Sequence, residues 1–352
     1  MDGNSTAPVL APGDHGQDAA PQRHSGRRRR IGLRILAVLG ILVLLVAAAI
    51  VGYASYLGRT FDEQAQKLAE DEVFPSAQPK AESGDPINIL LLGSDSRSGD
   101  VDYGADVRGH RSDTIMVMHL NGDRSGAQVM SIPRDLWVPI EGHGSAKINA
   151  AMSFGGLSLA TQTVGEFIDA PIHHVAILDF QGFQALTDAV GGVDVESEQA
   201  FTSGGSTFVE GTNHLNGEDA LIFVRERYSF ADGDLQLGRN QQAYLRGLVD
   251  AIVSADTLSN PRKVAAMVRD FAPYMTVDDG LTASRIAGLA YEMRDVRPGD
   301  IQFFSAPIAG AATSADGQAI LTVDTDAQEL IQEAFDEDTV GEYAAAAETV
   351  HL

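Results

Sequence analysis

The sequence predicts an α/β sandwich, with a central sheet covered on both faces, set behind one membrane-spanning helix. Three observations carry this expectation. Short apolar runs of strand length alternate with helix-length stretches from about 87 to 305. One 23-residue stretch, 35–57, holds no charge at all. The chain has 352 residues, 44% of them hydrophobic, which is ample for a large core. Composition also excludes several functions. With no cysteine there is no thiol nucleophile, zinc–thiolate site or disulfide framework. A net charge of −24 argues against a nucleic-acid partner, because phosphate backbones need a broad positive surface.

The elements follow in order. Residues 1–30 read as a disordered basic cytoplasmic tail, and 31–58 as a transmembrane helix. The stretch from Ile35 to Leu57 would span about 35 Å as a helix, against a hydrocarbon core of about 30 Å. It is too long for a signal-peptide core, so an uncleaved anchor is expected. Six arginines (Arg23, Arg27, Arg28, Arg29, Arg30, Arg34) precede it and five acids (Asp62, Glu63, Glu70, Asp71, Glu72) follow, which puts the N-terminus in the cytoplasm and the rest outside. The part after residue 34 then carries 19 basic and 46 acidic residues, a net −27. Residues 59–84 read as an extracytoplasmic stalk and linker, with a short helix over 64–74 capped by Thr60 and Glu63. Buried strands are expected at 87–92, 114–120 and 128–132, and helices at 156–168, 180–189 and 215–225. Strand-like VAIL and GVDV segments lie between and after these helices. Helices at 238–254, 261–272 and 281–294 and a strand at 301–305 follow, and 341–352 reads as a flexible tail. The main domain is expected over 85–255, with 256–340 extending it.

No phosphate-binding glycine loop and no H-E-x-x-H is present. The adjacent His173 and His174 would point to opposite faces of a strand and read as structural or exposed. Gly156-Leu157-Ser158-Leu159-Ala160 lacks the last glycine of a nucleophile elbow. What remains is a set of charges placed where buried strands begin or end: Asp95 and Arg97 after the first, Arg111 and Asp113 before the second, Arg134 and Asp135 after the third. Ligands of open α/β sheets bind at such ends. Arg225 and Arg227 close a helix, and Arg239 and Gln241 sit in the next. Taken singly, each arginine is satisfied by a surface acid, and Asp95 and Asp113 by turn or capping roles. Together with Lys147 they concentrate positive charge in an acidic protein, a pattern suited to an anion such as phosphate.

The series NILLLGSDSR (88–97), RSDTIMV (111–117), SIPRDLWVPI (131–140), KINAA (147–151), LDFQGFQALTDAVGGVDV (178–195) and LNGEDALIFVRERY (215–228) resembles the LytR-CpsA-Psr family of membrane-anchored, extracytoplasmic proteins in identity, order and spacing. The resemblance implies an αβα sandwich with a central mixed β-sheet, whose apolar interior holds the tail of a lipid carrier. It implies transfer of a glycopolymer from undecaprenyl pyrophosphate to peptidoglycan in cell-wall assembly. The partners would be a polyprenyl-pyrophosphate-linked glycopolymer, the peptidoglycan acceptor and the membrane, with no nucleic acid. By motif, Asp95 and Asp113 would hold Mg²⁺ (or Mn²⁺), and Arg134, Arg225 and Arg227 would contact pyrophosphate, with Arg111 close by. Asp113 or Asp95 is a candidate proton acceptor. The family's further arginine has no match, since Leu237 stands at its place; Arg239, with Gln241 in register, is the candidate substitute. The polymer is left open between teichoic acid, arabinogalactan and capsule. Two alternatives share these residues: a polyprenyl-pyrophosphate hydrolase, with water as acceptor, and a lipid-pyrophosphate binding sensor without turnover. Paired aspartates, which would repel an anion unless a metal intervened, favour the enzyme.

Overall fold

A computed structural model describes residues 48–49, 51–77, 80–94, 112–230, 233–254 and 260–350. The chain divides into a unit of residues 1–54 and a unit of residues 55–352. Of the first, only 48–49 and 51–54 are described, and they are helical. Among the described residues, no helix is long and apolar enough to cross a membrane. Most of the expected anchor, residues 35–57, lies outside them.

The second unit opens with helical residues 55–64 (α1), then β1 (Gln66–Leu68) and α2 (Glu70–Val73). After β2 (Ile87–Ser94), β3 (Ser112–Leu120) and β4 (Ala127–Ile132) come the hairpin β5 (Trp137–Ile140) and β6 (Gly144–Lys147), then α3 (Ala150–Ile168). Next follow β7 (His174–Asp179), α4 (Phe180–Val190), β8 (Val193–Ser197), β9 (Phe201–Ser203), β10 (Ser206–Phe208), β11 (Gly211–Leu215), α5 (Gly217–Arg225), α6 (Asp234–Val253) and α7 (Pro261–Phe271). The chain ends with β12 (Met275–Asp278), α8 (Ala283–Glu292), β13 (Ile301–Ser305), β14 (Ile308–Thr313), β15 (Ala319–Val323), α9 (Thr325–Asp336) and α10 (Val340–Val350).

The central sheet has seven strands in the order β1-β12-β7-β2-β3-β4-β13. It is mixed: β1 with β12, β2 with β7 and β4 with β13 run parallel, and the other neighbours antiparallel. The apolar runs INILLL and AQVMSI are buried along nearly their whole length, as a sheet covered on both faces requires. One face packs Leu90, Val117, Met130 and Val175 against α3, α9 and α10. The other presents Leu91, Met116 and Ala176 toward the layer of α4, α5, α6 and α7. Because β2 and β7 are parallel and both β2 and β4 oppose β3, the ends of β2, β4 and β7 and the start of β3 share one edge of the sheet.

Two expectations fail. Residues 64–74 are not one stalk helix: Gln66–Leu68 form the edge strand β1, and Phe61, Ala65, Leu68 and Val73 are buried in the core. Tertiary pairing outweighs the helical preference of QKLAEDE. Residues 341–350 are not a loose tail either. α10 seats Val340 and Ala344 in the core, and Tyr343 packs edge-on against Phe304 with ring centroids 5.8 Å apart.

His173 and His174 are structural, as the sequence suggests. His173 accepts the Asn88 backbone N–H at Nδ1 (3.0 Å), and His174 faces Asp278 at 3.1 Å. Burial, aided by neighbouring His174, holds His173 down at about 4. Burial also lowers His119, outweighing the opposing pull of Asp338. A depressed histidine stays neutral in the folded protein while the unfolded chain takes up a proton below its ordinary value of about 6.5. Stability is therefore expected to be full above pH 6.5 and to fall as the pH drops toward 4. Melting temperature measured against pH tests this, and His173→Gln, which keeps an acceptor, should flatten part of the slope.

Candidate active site

α5 begins where Asn216 caps it by accepting the Asp219 N–H (2.9 Å) and where Gly217 donates to Asp188 of α4 (2.8 Å). A Cβ at Gly217 would lie 2.5 Å from the Gln184 carbonyl oxygen, so only glycine lets the helices meet this closely. α5 ends at Arg225, and Glu226 then turns to extended backbone, so Arg225 and Arg227 emerge to one side and Glu226 to the other. Glu226 is buried against Ser203 and Ser229. Burial alone would raise its carboxyl, but those hydrogen bonds outweigh it and hold Glu226 below the usual range. This anchored carboxylate fixes the arginine on either side.

The two arginines border a cavity of about 370 Å³ between the sheet and α4–α7. Its walls are apolar: Leu91, Met116 and Ala176 from the sheet, Phe183 and Leu186 from α4, Leu221 and Val224 from α5, Leu245 and Leu248 from α6. Its polar groups are few, namely Arg134, Arg225, Arg227, Asp179, Thr114, Gln241 and the hydroxyls of Tyr228 and Tyr244. Arg134 arrives from the turn after β4, where its carbonyl accepts the Asn149 N–H (3.3 Å). The Arg225 guanidinium lies over the Phe180 ring, 4.4 Å from its centroid, and the Arg227 guanidinium over Tyr228 at 4.8 Å. Gln241 donates to Thr114 Oγ1 at 3.1 Å, tying α6 to the sheet. Tyr244 shares a 2.7 Å hydrogen bond with Thr187, and burial raises its phenol well above the ordinary value. The arrangement is a hydrophobic slot with guanidinium groups at its border, able to take a molecule with a long apolar tail and an anionic head.

The model of the family described as LytR_cpsA_psr matches residues 52–337. The chain belongs to the LytR-CpsA-Psr family. It is 34% identical over 245 residues to the polyisoprenyl-teichoic acid–peptidoglycan teichoic acid transferase TagU of Bacillus cereus, covering 69% of this chain and 78% of that protein. TagU of Enterococcus faecalis is 32% identical over 242 residues, 68% of this chain and 78% of that one. The crystal structure of Bacillus subtilis TagV superposes with a TM-score of 0.61 at 26% identity, covering 74% of this chain and 98% of that one.

Within this LytR-CpsA-Psr domain, Arg134, Arg225, Arg227 and Gln241 meet at one cavity. Asp95, Arg97 and Arg111 lie outside the described residues, and of Asp113 only the backbone, within β3, is described. Ser94 pairs with Ser112, so the end of β2 and the start of β3 lie at the same edge of the sheet as Arg134. Arg239 does not border the cavity. Its guanidinium bonds Glu198 at 3.0 Å and Gln236 at 2.5 Å, while Leu237 takes the cavity side. The reason is helical geometry. Leu237, Gln241, Tyr244 and Leu248 recur on one face, and a residue two places from Leu237 is turned about 200° away. Arg239→Ala is therefore expected to lower transfer less than tenfold, measured beside Arg225→Ala in one assay.

Sequence reasoning missed Phe180 and Asp179. Phe180 is the platform under Arg225. Asp179 caps α4 with Oδ1, accepting the Gly182 N–H at 2.7 Å, while its Oδ2 is buried without a hydrogen-bond partner among the described residues. The available signal was their position: Asp179 ends the buried strand β7 and Phe180 follows it, much as Arg134 follows β4.

Proposed function

We propose that this LytR-CpsA-Psr protein transfers a glycopolymer from an undecaprenyl pyrophosphate carrier to peptidoglycan and releases undecaprenyl phosphate. The observation that carries the reading is the apolar slot bordered by Arg134, Arg225 and Arg227. The slot takes the isoprene units nearest the head, and the arginines hold the pyrophosphate. The hydroxyl oxygen of a peptidoglycan sugar forms a bond to the sugar-linked phosphorus while its proton passes to a carboxylate, for which Asp113 or Asp95 is the candidate; the bond from that phosphorus to the bridging oxygen breaks, and the bridging oxygen leaves with the lipid phosphate. Negative charge grows on the bridging oxygen as it leaves. Fixed guanidinium groups stabilise that charge without reorganisation, and Arg225 is held by its aromatic platform for this purpose. No covalent protein intermediate is needed.

The pair that the family resemblance assigns to Mg²⁺ or Mn²⁺ is two aspartates, the hard oxygen donors such ions prefer. Asp95 and Asp113 would hold the ion, and when bound it supplies positive charge against the pyrophosphate oxygens. Membrane attachment completes the reading. The uncharged stretch 35–57 behind a cluster of arginines supports a single-pass anchor with a cytoplasmic N-terminus and an extracytoplasmic domain. The exposed Val51 and Tyr56 on its described helical part agree with a lipid-facing surface.

The test is the full chain in lipid nanodiscs with Mg²⁺, a polyprenyl-pyrophosphate-linked disaccharide and peptidoglycan. Disaccharide on peptidoglycan together with lipid monophosphate supports transfer. Monophosphate with free sugar phosphate would identify a hydrolase, and no monophosphate would identify a binding protein.

A further inference from the structure

Arg134 borders a second hollow, of about 340 Å³, whose lining mixes polar side chains with Ala146, Ala150 and Phe154, unlike the mainly apolar slot. Three separate segments build it. The turn after β4 brings Asp135, β6 brings Lys147 with Asn149 and Ser153 beyond it, and the hairpin of β14 and β15 brings Gln318. The hairpin is docked by the Leu321 N–H donating to the Asp135 carbonyl (3.0 Å).

Several features point to a ligand. Asn149 occupies the capping position of α3 yet its side chain makes no capping bond. That side chain belongs to a residue only 8% exposed and faces the hollow. Lys147 is paired with Asp135 at 2.8 Å, which leaves Arg134, shared with the apolar slot, as the remaining charge at its border. At its rim Phe154 is 48% exposed and lies flat on His143, with centroids 4.5 Å apart and planes 12° apart. The kink at Gly155 and Gly156 sets this ring. Gly156 has φ +70° and ψ −161°, which only glycine adopts readily, and it ends the first turn of α3 just past Phe154. Neutral amide and hydroxyl groups beside an open aromatic face are the chemistry that recognises a pyranose ring: the face covers its apolar C–H side, and the amides bond its hydroxyl and acetamido groups.

We infer that this hollow is the acceptor subsite, holding an N-acetylated sugar of the peptidoglycan strand. The inference rests on the transfer reaction proposed above. Displacement at phosphorus is in line, so the attacking hydroxyl must approach from the side opposite the departing lipid phosphate. Arg134 borders both hollows, and a phosphorus held at Arg134 with its lipid side in the apolar slot turns its other side to the polar one.

The test uses the full chain in nanodiscs, with steady-state transfer measured separately against the lipid-linked disaccharide and against an undecorated peptidoglycan glycan fragment. Phe154→Ala and Gln318→Ala alter two independent walls. Each is expected to raise KM for the acceptor, Phe154→Ala by roughly tenfold, as for an aromatic contact worth about 1.4 kcal/mol, with donor KM within about twofold of wild type. Phe154→Tyr should restore the acceptor KM. Saturation-transfer NMR with chitotetraose gives a readout without turnover: the sugar signal seen with wild type should vanish with Phe154→Ala. A rise in donor KM alone would seat the donor's sugar here and overturn the inference, as would two variants that shift neither KM. If Phe154→Ala does not fold, Gln318→Ala and Phe154→Leu decide the matter. Absence of any transfer by wild type would fail the proposed reaction, while chitotetraose binding would still test the subsite.

Discussion

Arg225→Ala is expected to lower transfer by about two to four orders of magnitude, the range found when a preorganised charge-stabilising donor is removed. The protein should remain folded. Arg225 is exposed at the last turn of α5, where its structural share is an interaction with the helix dipole worth about 0.3–1 kcal/mol, a shift of about 1–4 °C in Tm. Arg225→Lys should recover little, because an ammonium lacks the planar fork that grips phosphate while stacking on Phe180. Arg134→Ala should behave alike. Transfer of the lipid-linked disaccharide and thermal melting, measured on the same preparations, check this. Collapse of folding in both alanine variants would return these arginines to a structural role.

Phe223→Ala should do the reverse and act through stability. Phe223 is fully buried, and its ring contacts Phe201 (5.6 Å) and Phe208 (5.4 Å). The same cluster takes in Phe230. This aromatic floor carries α5, and with it Arg225 and Arg227. Truncation should cost about 3–5 kcal/mol, the usual range for a buried phenylalanine. Chemical denaturation is the measurement. Activity at low temperature should fall less than with Arg225→Ala, since the reacting groups are retained in the molecules that stay folded. A loss below about 1 kcal/mol would mean that the cluster does not support the arginines.

The central strands were legible because burial on both faces leaves a simple trace: INILLL has no room for a polar residue except Asn88, which is itself hydrogen-bonded to Pro171. One side of the sheet was not, although the opposite edge, Ile301–Ser305, was. The edge strand Gln66–Leu68 and its neighbour Met275–Asp278 are three and four residues long, too short for alternation to register, and their pairing with each other spans more than two hundred residues. α10 was hidden by its alanines, which read as little to pack yet are what allows its close approach to the core. The arginines stood out because they run against an acidic background. Asn149, Phe154 and Gln318 did not, since no local pattern announces a hollow assembled from segments more than a hundred and sixty residues apart.

In the proposed reaction the slot under α4–α7 would also set the pace of repeated turnover. Its apolar walls would meet only isoprene and so would grip the spent carrier as firmly as the loaded one. What changes on reaction is the head, which loses one phosphate and the polymer. Expulsion of the spent lipid therefore depends on the contacts surrendered at the arginines, and product inhibition by undecaprenyl phosphate follows from the architecture. The enzyme would run only as fast as the surrounding bilayer recycles what it lets go.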